Sequence, residues 1–169
     1  MRLDRLKVLI VDDHENARAL LSQMLRALGA AHIFEARDGV EGLRVLGEHD
    51  IDIVLADLVM APMDGLTFVR ALRTSPHSRR PRAPVIMVSG HSTLKSIMSA
   101  RDAGVDEFLA KPLSARDLVD RLHRVIERQQ PFVRTPTYFG PDRRRRAQAR
   151  HRGPWRRSTD RPNVRAVEI

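Results

Sequence analysis

Ile53-Val54-Leu55-Ala56, closed by Asp57, is a run with no polar residue before its last position. A strand that is apolar throughout, without alternation, is buried on both faces, as in a parallel sheet covered by helices. The same unit recurs on either side. Leu6–Val11 and His32–Ala36 precede it, and Val85–Val88 and Glu107–Ala110 follow it. Stretches of helical period lie between these runs. Ala17, Leu20, Leu21, Met24, Leu25 and Leu28 form one stripe, and Val40, Leu43 and Leu46 a second. Leu66, Phe68, Val69 and Leu72 form a third, and Leu118, Val119, Leu122, Val125 and Ile126 the last. Thr93–Ala103 is the least amphipathic stretch, and its place in the order makes it the fourth helix. Gly29 and Gly104 stand where helices should stop, and Ser114 where a cap should start one. Asp38-Gly39 and Asp64-Gly65 read as turns. Strict alternation predicts an α/β fold: a (βα)5 doubly wound parallel sheet with helices on both faces.

The bulk numbers agree. A chain of 169 residues fits one domain with an extension, and 42% apolar residues suffice for a core. The absence of cysteine removes disulfides, thiol catalysis and thiolate zinc from consideration. The apolar run Val8–Val11 is too short for an export signal or a membrane span, so the expected location is the cytoplasm, with no membrane partner. The net charge of +9 is unevenly spread. Residues 1–130 hold 19 basic and 18 acidic side chains, whereas residues 131–169 hold 11 arginines and 3 acids. The division expected is therefore a folded domain over 1–130 and a basic, Pro/Arg-rich tail over 131–169, disordered or ordered by a partner.

The polar residues collect at one place in this scheme. Asp12 and Asp13 end the first strand, Asp57 the third and Ser89 the fourth, and Lys111 follows the fifth. Ligands of open α/β sheets bind at the carboxyl ends of the strands. Three clustered carboxylates repel one another and call for a counter-charge. An all-oxygen donor set suits Mg²⁺. A carboxylate beside such an ion can attack phosphorus and become an aspartyl phosphate, with the Lys111 ammonium and the Ser89 hydroxyl as donors to the phosphoryl oxygens.

These stretches resemble the receiver domain of two-component response regulators, most closely the short chemotaxis-regulator type. The resemblance rests on Val8-Leu9-Ile10-Val11-Asp12-Asp13, Leu55-Ala56-Asp57 with Met60 and Met63-Asp64-Gly65, Val88-Ser89-Gly90, and Phe108-Leu109-Ala110-Lys111-Pro112. It covers roughly residues 5–128 and implies a flavodoxin-like sheet of order 2-1-3-4-5. It makes Asp57 the phosphoacceptor. Asp12, Asp13, Asp57 and the carbonyl of Val59 become the Mg²⁺ ligands, and Ser89 and Lys111 the phosphoryl contacts. Ser89 and Phe108 become a switch acting on the face of the fourth helix, fifth strand and fifth helix, which is also a possible homodimer face. A cis Lys111–Pro112 bond would place the ammonium, but the sequence alone does not fix its state.

The partners implied are a histidine kinase or histidine phosphotransfer protein and a downstream protein target. The protein expected is a stand-alone response regulator, not an enzyme beyond assisting its own phosphorylation and dephosphorylation. Two positions depart from the family: Ala61 stands where proline is usual, with Pro62 after it, and Gly90 stands where alanine is usual. Phosphatases of the haloacid-dehalogenase type need an aspartate two residues past the nucleophile, where this chain has Val59.

The tail carries a rough repeat, Gly140-Pro141-Asp142-Arg143-Arg144 and Gly153-Pro154-Trp155-Arg156-Arg157, and no sustained period. It is expected to be largely irregular. Its candidate contacts are Tyr138, Phe139, Arg143, Arg144, Trp155, Arg156 and Arg157, anchoring on a protein partner or, alternatively, on nucleic acid.

Overall fold

The computed structural model describes residues 3–76, 78–127 and 130–142, and the backbone of 165–167. Five strands, β1 (Lys7–Val11), β2 (His32–Ala36), β3 (Ile53–Asp57), β4 (Val85–Ser89) and β5 (Glu107–Ala110), pair in parallel in the order β2-β1-β3-β4-β5. They alternate with α1 (Glu15–Ala27), α2 (Gly39–Glu48), α3 (Gly65–Thr74), α4 (Leu94–Ala103) and α5 (Ala115–Glu127). The sheet is the flavodoxin-like arrangement expected.

The two-residue period of each strand sorts the core into two layers. Val8, Ile10, Ile53, Leu55, Ile86 and Val88 pack with Leu21 and Leu25 of α1 and Leu118 and Leu122 of α5. Leu9, Val11, Val54, Ala56, Val85 and Met87 pack on the other face with Val45 of α2, Phe68 and Leu72 of α3 and Ala100 of α4. Each fully buried side chain such as Phe68 contributes about 1.5–3 kcal/mol.

Helix ends follow from side-chain chemistry. Asp38 and Asp64, expected in turns, are N-caps: their carboxylates accept from the backbone N–H of Glu41 and Thr67 at 2.9 and 2.7 Å. Ser114 Oγ accepts from Asp117 N–H at 3.1 Å. Gly104 ends α4 at φ 101°, a conformation that disfavours any residue with a Cβ. Lys111–Pro112 and Ala61–Pro62 are both cis.

Beneath the sheet, at the end where strands begin, sits a buried arginine. Arg73 donates to Gly104 O at 3.1 and 2.8 Å, Pro81 O at 2.8 Å, Ala83 O at 2.7 Å and Asp106 Oδ2 at 2.9 Å. Burial pushes the Asp106 carboxyl up to about 6 against the pull of Arg73. A carboxyl with a raised folded pKa contributes stability below its unfolded value and loses it as pH rises through the folded one. Wild type is therefore expected to lose ground to Asp106→Asn, in urea midpoint, as pH climbs from about 4 to about 7. A gap that stays flat across that window contradicts the assignment.

The tail, expected to be largely irregular, begins with regular structure. Phe132–Thr135 (β6) and Tyr138–Pro141 (β7) form an antiparallel hairpin, and Arg165–Val167 (β8) pairs with β6 on its other side. Phe132 and Val133 are buried, and the Phe132 ring lies 5.1 Å from the Arg73 guanidinium. β7 touches α3 and α4. The segment is too short to fold alone, but it buries its apolar residues on a surface the domain supplies, so the packed body runs to Asp142.

Candidate functional site

Parallel register brings the strand ends to one level. Val11 pairs with Ala36 and Ala56, Asp57 with Val88, and Ser89 with Ala110. Asp12, Asp57, Ser89 and Lys111 therefore emerge along one edge of the sheet, where the chain leaves each strand for a loop.

Asp12 and Asp57 are buried, and Asp13 is more exposed. Lys111 bridges the two buried acids: its Nζ donates to Asp12 Oδ2 at 3.0 Å and lies 3.3 Å from Asp57 Oδ1. Burial works to lower the Lys111 pKa, but hydrogen bonds and charges from Asp12 and Asp57 outweigh it and hold the ammonium protonated. Burial raises the Asp57 carboxyl; Lys111 pulls it down, and the Asp12 charge pushes it further up. The site thus carries more negative charge than one ammonium neutralises. That is the condition a cation relieves.

Carboxylate oxygens of Asp12 and Asp13 and a ring nitrogen of His14 lie within 4.8 Å of one another. Asp57 is joined to this trio through Lys111. His14 is placed at the start of α1 and stays exposed, with Nδ1 2.7 Å from Asp13 Oδ1. Hard carboxylate oxygens on Asp12, Asp13 and Asp57 fit a hard divalent cation better than the imidazole does. Val59, the expected backbone ligand, stands two residues beyond Asp57 with an exposed side chain.

Ser89 is buried, and its Oγ accepts from His91 N–H at 3.0 Å. Phe108, half-buried on β5, packs against the layer that holds Met87 and Ala100. Its backbone pairs with Met87, two residues before Ser89. The hydroxyl and the ring thus sit on adjoining strands.

Gly65 begins α3 directly beneath Asp57. A Cβ there would fall 2.1 Å from the Asp57 carbonyl oxygen, so only glycine lets the loop return so close.

Two residues escaped the sequence reading. Arg18 donates to the Asp12 carbonyl at 2.9 Å and pairs with Glu35 at 3.6 Å, pinning the end of β1. A cation near the positive N-terminal end of a helix is disfavoured unless it has a specific partner, and that was the available signal. Arg73 shares a helical face with Leu66 and Val69, so its burial was legible in the period.

Of the tail candidates, Tyr138 and Phe139 are engaged within the hairpin. Tyr138 Oη donates to Pro141 O at 2.8 Å, and Phe139 packs 5.5 Å from Phe132 with the Arg134 guanidinium 4.5 Å over its ring. Arg143, Arg144, Trp155, Arg156 and Arg157 lie outside the described residues. A cavity of about 510 Å³, lined by Leu6, Ile53, Arg79, Val125 and Phe132 among others, opens at the far end of the sheet and includes none of the site carboxylates. No helix among the described residues is long and apolar enough to cross a membrane.

Residues 8–123 match the family model of the response regulator receiver domain. The chain is 33% identical over 123 residues to the chemotaxis protein CheY of Pseudomonas aeruginosa, an alignment covering 73% of this chain and 98% of that one. It is 32% identical over 123 residues to CheY-3 of Vibrio cholerae, covering 73% and 93%. Among solved structures it resembles a chain of the CheX–CheY–BeF3–Mg²⁺ complex from Borrelia burgdorferi, with TM-score 0.66, 30% identity and coverage of 72% and 89%. It also resembles the receiver domain of a Pseudomonas aeruginosa sensor histidine kinase with magnesium in its active-site cleft, with TM-score 0.65, 26% identity and coverage of 72% and 98%.

Proposed function

Since the chain belongs to the response regulator receiver domain family, whose members are signalling proteins, we propose that it takes a phosphoryl group onto Asp57 from a histidine kinase or histidine phosphotransfer protein and thereby changes which protein it binds. The observation that carries this reading is the Lys111 bridge between Asp12 and Asp57. It joins a nucleophile, a cation-holding acid and a half-buried ammonium in one cluster.

The chemistry follows from the groups present. An ionised Asp57 oxygen attacks phosphorus, and the phosphorus–nitrogen bond of a phosphohistidine donor breaks as the new oxygen–phosphorus bond forms. Lys111 lies beside the acceptor oxygen and meets the charge that arrives with the phosphoryl group. Asp12, Asp13 and Asp57, with the Val59 carbonyl, would hold Mg²⁺, which supplies charge neutralisation at the transferred group. Ser89 exchanges its bond to His91 for one to the phosphoryl oxygen. Phe108 then turns toward the space the hydroxyl leaves, altering the α4–β5–α5 face that meets the downstream protein. A neighbour described with beryllofluoride and magnesium supports the same reading.

Acetyl phosphate with Mg²⁺ is expected to add one phosphoryl mass to the intact chain, mapped to the peptide holding Asp57. EDTA is expected to reduce the yield by at least about a hundredfold, given the share of transition-state charge a metal carries. Modification that is indifferent to EDTA, or found on another peptide, refutes the proposal.

A further inference from the structure

α4 is held very differently at its two ends. At its C-terminus, Gly104 is clamped. Arg73 binds its carbonyl with two donors, Phe132 covers the Arg73 guanidinium, and Gly140 approaches so closely that a Cβ there would lie 3.1 Å from Gly104 Cα. At its N-terminus little is packed. Leu94 is 74% exposed, Ile97 and Met98 are also exposed, and the helix buries only Ala100 and Ala103, both in its second half.

The loop entering that loose end begins at the site. Ser89 Oγ holds His91 N–H, and a hydroxyl that turns toward a phosphoryl group gives this bond up. A ten-residue helix is a rigid rod of about 15 Å. Freed at its N-terminal end and clamped at Gly104, such a rod would pivot where the hairpin is seated.

We propose that the 132–141 hairpin is an output element of the domain: occupation of Asp57 alters its seating at Gly104 through α4. This rests on the acceptor reading above. The arginine run that starts at Arg143 follows the hairpin directly, so its base of attachment responds with it.

Hydrogen–deuterium exchange of the full chain, with and without beryllofluoride and Mg²⁺, tests the coupling, and a bound ¹⁹F resonance reports loading of the site. Exchange in peptides spanning 130–142 is expected to change by about threefold or more in wild type and to stay constant in Asp57→Asn. A Cβ at Gly140 would crowd the Tyr138 ring of the hairpin as well as Gly104, so Gly140→Ala disturbs the hairpin and its seat together and should keep the bound ¹⁹F signal while its hairpin no longer responds. A bound signal with unchanged hairpin exchange in wild type overturns the coupling and leaves the acceptor reading standing. No bound signal overturns both. If Gly140→Ala does not fold, wild type against Asp57→Asn decides alone.

Discussion

Asp57→Asn is expected to keep the fold, to melt higher than wild type at neutral pH in metal-free buffer, and to take no phosphoryl group from acetyl phosphate. The loss of chemistry is complete because a carboxamide oxygen is no nucleophile toward phosphorus at this pH, and neither Asp12 nor Asp13 ends the third strand. The gain in stability is a matter of sign. Burial first, then the Asp12 charge, raise the Asp57 pKa, while Lys111 opposes them and loses. Such a group contributes stability below its unfolded value of 3.8 and forfeits it as pH rises through the folded value. At neutral pH the ionised side chain is a net burden that Asn removes. Magnesium should narrow the gap, since it binds the wild-type cluster and stabilises it by mass action. Thermal melts of both proteins with EDTA and with Mg²⁺, alongside intact mass after acetyl phosphate, check each part. A variant that melts below wild type in EDTA would show that Lys111 outweighs burial. A variant that still gains a phosphoryl mass would remove Asp57 from its role.

Arg73→Ala is expected to be among the most destabilising single changes in the body of the protein. It deletes bonds to three backbone carbonyls and leaves the Asp106 carboxylate buried without its partner, although Val85 N–H still donates to it at 2.8 Å. Breaking one side of a buried pair costs about 3–5 kcal/mol. For a chain of this size that corresponds to a fall in Tm of about 6–20 °C. Arg73→Lys should recover little, because one ammonium cannot span the carbonyls the planar fork reaches together. Adding Asp106→Asn to Arg73→Ala should restore part of the loss by removing the stranded charge. Phosphorylation at Asp57 should persist in whatever fraction folds, since Arg73 sits under the opposite end of the sheet. Urea titrations of the single and double variants measure this, and a loss below about 1 kcal/mol would place the guanidinium outside the role of a structural pillar.

Most of the fold was legible because it is written locally. The apolar runs became β1 to β5 within a residue, and Asp57 and Ser89 joined their strands because backbone pairing continues to Val88 and Ala110. Asp38 and Asp64 were placed at the right boundaries with the wrong role: a turn and an N-cap share their residues, and only the partner N–H of Glu41 or Thr67 distinguishes them. The hairpin was not legible. Its strands are four residues each, interrupted by arginine, threonine and proline, and Phe132 finds its burial on Arg73, far away in sequence.

The sequence by itself determined the order of elements, the two core layers and the placement of Asp12, Asp57, Ser89 and Lys111 at the ends of their strands. Periodicity and strand-end chemistry depend on neighbours along the chain, so they survive without coordinates. Tertiary structure alone decided that Lys111 reaches Asp12 across 99 residues, that Arg73 ties α3 to the loops before β4 and β5, and that Gly140 rests on Gly104. Each of these joins groups from separate elements. Their meeting is set by how those elements pack, and packing is a property of both partners at once, which no local pattern records.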